Sequence, residues 1–268
     1  MSQLEKLKAA KNRKELAHLL GYKPSALTSI VYKTTSDDKY SCFEIPKRGG
    51  GTRTIKAPNP KLKRLQKHLA QLLYGCLDEI ERQREATPVS FGFRRGGDII
   101  QNAKNHKRRR YVLNLDIQDF FPSFNFGRVR GFFLKDQAFL LNEEVATTIA
   151  QIACDGTALP QGSPCSPIIS ELIGQILDLR LIRFAKNNGV RYSRYADDIT
   201  FSTNQKIFPQ TLAQQINNNP AHWSLSQELI DKIEACGFSI NKNKTRLHVR
   251  GSRQLVNGLV VNEKANIK

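Results

Sequence analysis

Asp197 and Asp198 place two carboxylates side by side, after Tyr195 and Ala196, in a stretch otherwise rich in β-prone residues. Read at period two, Tyr192 before them and Ile199, Thr200 and Phe201 after them describe a strand, a tight turn and a second strand. Adjacent carboxylates repel, so bringing them together is costly unless a cation neutralises them. A hard divalent ion such as Mg²⁺, which prefers oxygen ligands, meets that need. A polar hairpin turn is the competing reading, because aspartate is common in turns. A third carboxylate, Asp116, lies at the end of the strongest strand in the sequence, residues 111–117. Alone it would read as the cap of a following helix. Beside the Asp197-Asp198 turn it would complete a set of three. Such a set suits two divalent ions about 4 Å apart, which stabilise the attacking and leaving oxygens of phosphoryl transfer.

The elements that must position these acids can be read from periodicity. Residues 2–33 read as two or three short helices, with Leu4, Leu7, Leu16, Leu19 and Leu20 on an apolar face and Gly21 as a stop. A hairpin is expected from strands at 40–45 and 52–55, with a glycine-rich tip between Pro46 and Gly51. A helix over 61–77 carries Leu62, Leu65, Leu69, Leu72 and Leu73 on one face and Lys61, Lys63, Arg64 and Lys67 on the other. Helices are predicted at 126–140, 142–153, 166–187 and 224–236, the aspartate hairpin at 190–203, and a strand pair near 238–261. Before the helix at 166, Leu159 to Pro167 forms a rigid Pro- and Gly-containing loop, with Ser166-Pro167 as a helix start. Gln161 has no structural purpose in that loop. The order of elements suits an α+β fold, an antiparallel sheet packed by helices.

Composition narrows the partners. The 268 residues carry 42 Lys and Arg against 24 Asp and Glu, a net charge of +18. That surplus calls for a polyanion. The basic residues are spread along the chain rather than gathered on one amphipathic helix, which favours nucleic acid over a membrane surface. Five widely spaced cysteines with no C-x-x-C pair argue against a disulfide framework or a zinc site. Free thiols, no signal-peptide core and no apolar run of bilayer length suit a cytoplasmic protein.

LNLDIQDFF, LPQGSPCSP and YADD, in this order, resemble the palm motifs of reverse transcriptases. GGTRTIKAPNPKLKRLQ and FGFRRGGDIIQNA resemble the fingers motifs, GFSINKNKTRL the following palm strand, and RQLVNGLVVN the primer-side motif. Two details are narrower. Asn102-Ala103-Lys104-Asn105-His106 fits the NAxxH pattern of retron reverse transcriptases, and Val256-Asn257-Gly258 is close to their VTG motif, with Asn in place of Thr.

The resemblance implies a right-hand polymerase fold. Its parts would be a helical extension over 1–39, fingers over 40–110, the first catalytic palm strand over 111–125, helices over 126–158, and palm over 159–268. A helical thumb would be expected next, and this chain has no segment of that length after the VNG motif. Asp116, Asp197 and Asp198 resemble the catalytic, metal-binding carboxylates, with the Ile117 carbonyl as a further ligand of two Mg²⁺ ions, for which Mn²⁺ can substitute. Phe121 resembles the gate that excludes a ribose 2′-OH; core packing is its other reading. Gln161 resembles the residue under the incoming nucleotide, and Arg53 and Lys56 the cations on its triphosphate. Lys244 resembles a proton donor to pyrophosphate, against a plain surface lysine. Tyr195 is expected near the primer terminus. Asn102 and His106 are read as RNA-recognition or scaffold residues, Lys107, Arg108, Arg109 and Arg110 as phosphate contacts, and Val256, Asn257 and Gly258 as nucleic-acid-binding. The implied partners are a cognate structured noncoding RNA and its RNA–DNA product, dNTPs, and an effector protein in antiphage defence. A group II intron-like or diversity-generating reverse transcriptase is the alternative within the class. A non-catalytic RNA-binding scaffold restraining a toxin is the alternative outside it, disfavoured by the three intact carboxylates.

Overall fold

The computed structural model describes residues 1–47, 50–84, 87–215 and 223–266. The chain divides into two compact units, Met1–Ala86 with Phe121–Ile173, and Thr87–Phe120 with Gly174–Lys268.

The first unit opens with α1 (Gln3–Ala9), α2 (Arg13–Leu19) and α3 (Pro24–Thr28), followed by a π-helical turn at Ser29–Lys33 and α4 (Ser36–Lys39). Ser2 and Glu5 form a capping box that fixes the start of α1. The leucines read from the sequence supply the buried face: Leu4, Leu7, Leu16 and Leu20 are all in the core. Strands β1 (Tyr40–Pro46) and β2 (Thr52–Pro58) form the expected hairpin, in register from Tyr40 opposite Pro58 to Pro46 opposite Thr52. Arg48 and Gly49 of its expected tip lie outside the described residues. Helix α5 runs over Pro60–Arg84, seven residues past its predicted end at 77, because Ile80 extends the buried leucine face by another turn.

The second unit contributes α6 (Ile99–Lys104) and β3 (Tyr111–Gln118). The sequence reading had no helix at α6, which starts where Asp98 accepts the Gln101 N–H. Back in the first unit, α7 (Phe126–Lys135) stops five residues before the predicted 140. There Asp136 turns to extended backbone and its carboxylate accepts the Ala138 N–H, a local bond that competes with helix. Phe132, Phe133 and Phe139 then pack with ring centroids 5.1–5.6 Å apart. Helix α8 (Glu143–Ala153) follows, and α9 (Ser166–Asn187) runs on into the second unit.

In that unit the chain continues as β4 (Arg191–Tyr195), β5 (Asp198–Thr203), β6 (Ala213–Gln215), β7 (Trp223–Leu225), α10 (Gln227–Glu234), β8 (Ser239–Ile240), a 3₁₀ turn at Lys242–Lys244, β9 (Arg246–Val249), β10 (Leu255–Val256) and β11 (Leu259–Val260). Residues 223–225 are a strand where helix was expected, since Ser226 caps α10 by accepting the Leu229 N–H. The closing region holds four short strands rather than one pair. Strand β3 is the middle of the main sheet, with order β4-β5-β3-β8 and β9 also on β3. It pairs with β5 along one edge, and with β9 (over Tyr111–Asn114) and β8 (over Ile117–Gln118) along the other. Both faces of β3 and β5 are buried, so their polar side chains must find partners inside the protein.

Candidate active site

The aspartate turn is a two-residue loop. Tyr195 pairs with Asp198, leaving Ala196 and Asp197 to reverse the chain. Ala196 adopts φ +55°, a position that type II′ hairpins usually give to glycine. Three groups hold it there. An Arg194 guanidinium N–H donates to the Ala196 carbonyl at 3.2 Å. The Ile117 N–H donates to the Asp197 carbonyl at 2.9 Å, tying the turn to β3. Gly92 lies against the turn so closely that a Cβ there would stand 2.4 Å from the Ala196 nitrogen.

Arg194 is itself anchored. Its guanidinium makes a two-pronged contact with Asp178, at 2.8 and 2.7 Å, and Tyr192 donates to the same carboxylate at 2.6 Å. The Val89 carbonyl accepts the Arg194 N–H, and the Arg194 carbonyl accepts from Phe91, so the 89–91 segment covers the β4 edge.

In the β3–β5 register Asp116 stands directly opposite Asp198, which places their Cβ atoms about 4.5–5.5 Å apart. Asp116 is buried and Asp197 and Asp198 are half-buried. Burial and the neighbouring Asp197 and Asp116 charges push Asp198 up to about 6, against a hydrogen bond from Asn257 that lowers it. Lys244 reaches Asp116 because the second edge of β3 changes partner here. Between β8 and β9 the Asn241 N–H donates to the Asp116 carbonyl, and the 3₁₀ turn carries Lys244 Nζ to 2.8 Å from Asp116 Oδ2. That hydrogen bond holds the Lys244 ammonium above its ordinary range.

These residues fit a divalent ion. The donor set is all carboxylate oxygen, and the burial and repulsion that raise Asp198 are what a hard cation would offset. Among the described residues no three His, Cys, Asp or Glu groups already close on one point; Lys244 and Asn257 engage two of the three carboxylates instead.

The profile described as "Reverse transcriptase (RNA-dependent DNA polymerase)" matches residues 45–259. Over 267 residues the chain is 34% identical to the Retron Mx162 reverse transcriptase of Myxococcus xanthus, covering 92% of this chain and 52% of that protein. It is 31% identical to the Retron Ec86 reverse transcriptase of Escherichia coli, over 88% of this chain and 67% of that one. The chain belongs to the retron-type reverse transcriptases. It spans about half the length of the first of those curated relatives. Among solved structures, apo telomerase from Candida tropicalis matches with a TM-score of 0.54 and 16% identity, over 87% of this chain and 49% of that one. The same telomerase with a TWJ fragment of telomeric RNA gives 0.54 and 15%, over 92% and 49%. At these identities the likeness is one of fold, the α+β right-hand polymerase arrangement.

Within this reverse transcriptase the remaining motif residues are placed as follows. Arg53 is exposed on β2. Lys56 is already paired, 2.6 Å from Asp155 Oδ2 in the same unit, and that hydrogen bond raises its pKa. Gln161 is half-buried; its carbonyl accepts the Lys56 N–H, and Gly162, at φ +122°, leaves no room for a side chain against the Lys56 carbonyl. Phe121 is half-buried, whereas Phe120 and Phe124 are core residues. Tyr195 is half-buried at the turn.

Asn102 and His106 need correction as nucleic-acid contacts: both are fully buried. His106 hydrogen-bonds Ser202 through Nδ1 and Ser193 through Nε2, each at 2.7 Å, and so bolts β4 to β5 behind the aspartate turn. Burial, with Arg109 and Arg191 nearby, pushes it down to about 3, so the ring is neutral. Lys107, Arg108 and Arg110 are exposed; Arg109 is half-buried, and burial lowers its pKa. Val256 is also buried and Gly258 exposed, while Asn257 donates to Asp198 at 2.9 Å. Sequence reasoning missed Arg194, Asp178, Gly92 and the two serines. For Arg194, Ser193 and Ser202 the available signal was polar residues inside strands with no solvent face. Among the described residues no helix is long and apolar enough to cross a membrane.

Proposed function

We propose that this chain is an RNA-directed DNA polymerase of the retron type, with fingers over 40–110, the first catalytic palm strand over 111–125 and the rest of the palm over 159–268. It copies a structured noncoding RNA from an internal guanosine 2′-OH and yields branched RNA–DNA. The observation that carries this reading is the register of Asp116 opposite Asp198 at the Tyr195-Ala196-Asp197-Asp198 turn, in a chain that also bears the NAxxH and VNG motifs.

Asp116, Asp197, Asp198 and the Ile117 carbonyl would hold two Mg²⁺, or Mn²⁺ in their place. Bound there, the ions supply activation of the attacking oxygen and neutralisation of charge on the α-phosphate and departing pyrophosphate. Lys244, an ammonium at neutral pH like any lysine, leaves Asp116 and donates its proton to the pyrophosphate. Arg53 takes the triphosphate by paired N–H contacts, and Lys56 joins it as a point charge on parting from Asp155. Phe121 excludes a 2′-OH, Gln161 lies under the base-paired nucleotide, and Tyr195 packs at the primer terminus. Exposed Lys107, Arg108 and Arg110 contact RNA phosphates. The biological setting is cytoplasmic antiphage defence with an effector protein.

The test is to purify the protein with its co-expressed nucleic acid and sequence it with and without RNase and debranching treatment. DNA joined to RNA by a 2′,5′ linkage is the expected outcome. Cellular RNA alone, or complementary DNA persisting in Asp197→Ala/Asp198→Ala, overturns the reading.

A further inference from the structure

Two motifs that the sequence keeps 155 positions apart meet behind the carboxylates. Asn102 on α6 donates its Nδ2 hydrogen to Oδ1 of Asn257, and Nδ2 of Asn257 donates to Oδ2 of Asp198 at 2.9 Å. Amide, amide and carboxylate thus form one chain of hydrogen bonds running in a single direction. Both amides are fixed by packing. Ala103, next to Asn102, and Val256, next to Asn257, belong to one buried cluster with Val112, Leu259 and Val261. The hairpin is further docked on β3, where Asn114 donates to the Leu255 carbonyl at 2.7 Å.

Two details indicate that this chain serves the acid at its end rather than the hairpin alone. The Asn102 side-chain oxygen is buried and has no hydrogen-bond partner among the described residues. A buried amide is normally satisfied on both atoms; here its donor is committed to Asn257 at the expense of its acceptor. Asn257, at φ +48°, occupies the first position of the Asn-Gly turn between β10 and β11, where asparagine is well tolerated. It is also the position at which this chain departs from the VTG pattern. An amide carries acceptor and donor on separate atoms, whereas a threonine hydroxyl carries both on one. Here the amide oxygen takes the bond from Asn102 and the amide nitrogen passes one to Asp198.

We propose that Asn257 and Asn102 are positioning residues for Asp198, fixing one oxygen of its carboxylate so that the group is presented to the divalent ion in a single orientation. This rests on the metal-site reading above. Partners of a ligating group commonly govern its metal affinity, and here the governing partner is reached from a helix otherwise remote in sequence.

The experiment uses the full chain. Mn²⁺ binding is followed by electron paramagnetic resonance, extension of oligo(dT) on poly(rA) is measured against Mg²⁺ concentration, and thermal melting is recorded alongside. Asn257→Ala is expected to weaken Mn²⁺ binding, and raise the Mg²⁺ half-saturation, by about tenfold. Asn102→Ala should shift both in the same direction by less, because Asn257 still donates to Asp198. The double alanine variant should be no worse than Asn257→Ala, since both changes cut one chain. Variants that melt lower yet bind Mn²⁺ with wild-type affinity would reduce the amides to hairpin glue and overturn the proposal, as would additive effects in the double variant. Asn257→Gly, which adopts φ +48° without strain, and Asn102→Ala carry the test if Asn257→Ala does not fold. Absence of saturable Mn²⁺ binding in the wild type, unchanged in Asp198→Ala, sinks the metal-site reading itself. Wild-type binding lost in Asp198→Ala but intact in Asn257→Ala sinks the positioning role alone.

Discussion

Two cation–carboxylate pairs in the second unit serve the same aspartate turn and differ chiefly in their access to water. The Arg194 and Asp178 side chains are 0% and 5% exposed, and the planar guanidinium meets the carboxylate through two bonds while a third N–H reaches the turn itself. The Lys244 side chain is 60% exposed and Asp116 11%, joined by a single 2.8 Å contact. A buried pair cannot lose one partner without stranding the other in a medium that will not solvate it. In the second pair only the lysine can leave freely, because water takes over its ammonium while Asp116 stays buried and needs another partner. The first is therefore fixed scaffold behind the turn, the second an exchangeable contact on a residue proposed to bind metal. Side-chain choice agrees: arginine gives a rigid fork that stays charged, lysine a mobile point charge.

The comparison is most exposed at Arg194. Arg194→Ala should destabilise the protein by about 3–5 kcal/mol, the cost of an uncompensated buried carboxylate, read as a lowered urea midpoint. Arg194→Lys should fall between, keeping the charge but not the fork. A cost under about 1 kcal/mol for the alanine variant, the range of surface pairs, would put the two pairs on one footing and remove the distinction.

Gly92→Ala probes the same scaffold from the other side of the turn. The added Cβ meets backbone at 2.4 Å, which cannot swing away, so overpacking of about 1–3 kcal/mol is expected. Unaltered melting in this variant would show that the 89–91 segment yields, and that Arg194 and the Ile117 N–H suffice to hold the turn.

His106 extends the test to pH. The folded ring titrates near 3, while in the unfolded chain it titrates near its ordinary 6.5. Between those values the unfolded state binds a proton that the folded state refuses, so this contribution to stability is complete above about pH 6.5 and is lost as pH falls. From pH 7 to pH 5 the loss is about 2 kcal/mol. Urea midpoints at pH 5, 6 and 7 should show a shallower slope in His106→Gln, whose amide does not titrate, although that variant starts less stable. Parallel slopes would mean that the imidazole protonates without breaking its bonds to Ser193 and Ser202.

The parts of this site that were legible in the sequence are those whose chemistry is locally conspicuous. Asp197 beside Asp198 is repulsive on paper, and the Asn257-Gly258 step is a turn signal wherever it stands. The hairpin 40–58 and the leucine face of α5 were legible because two- and 3.6-residue periods survive in one dimension. What supports the acids was not. Arg194 reads as one more cation in a chain with a +18 surplus, and only its burial reveals that it is paired. Asn102, His106 and Lys244 have partners 155, 96 and 87, and 128 positions away, separations at which no local pattern exists. Lys56 shows the converse. Its motif position suggested a free cation, and the fold had already given it Asp155.

Lys244 supplies the smallest effect and the sharpest contrast. Lys244→Ala removes one contact from an exposed ammonium, whereas Arg194→Ala removes two from a fully buried guanidinium, so its melting and urea midpoint should fall by less than those of Arg194→Ala. Its consequence should appear in ion binding instead. Asp116 Oδ2 receives the ammonium in this structure, and a divalent ion taking that oxygen must displace it. Without the competitor, Mn²⁺ should bind a few-fold more tightly to Lys244→Ala, measured by electron paramagnetic resonance at a pH where the carboxylates are charged. A smaller loss of stability than in Arg194→Ala, with tighter binding, would establish Lys244 as a place-holder for the ion. Weaker binding would show that the ammonium instead orients Asp116 as a ligand, and would move this pair toward the scaffold side of the comparison despite its exposure.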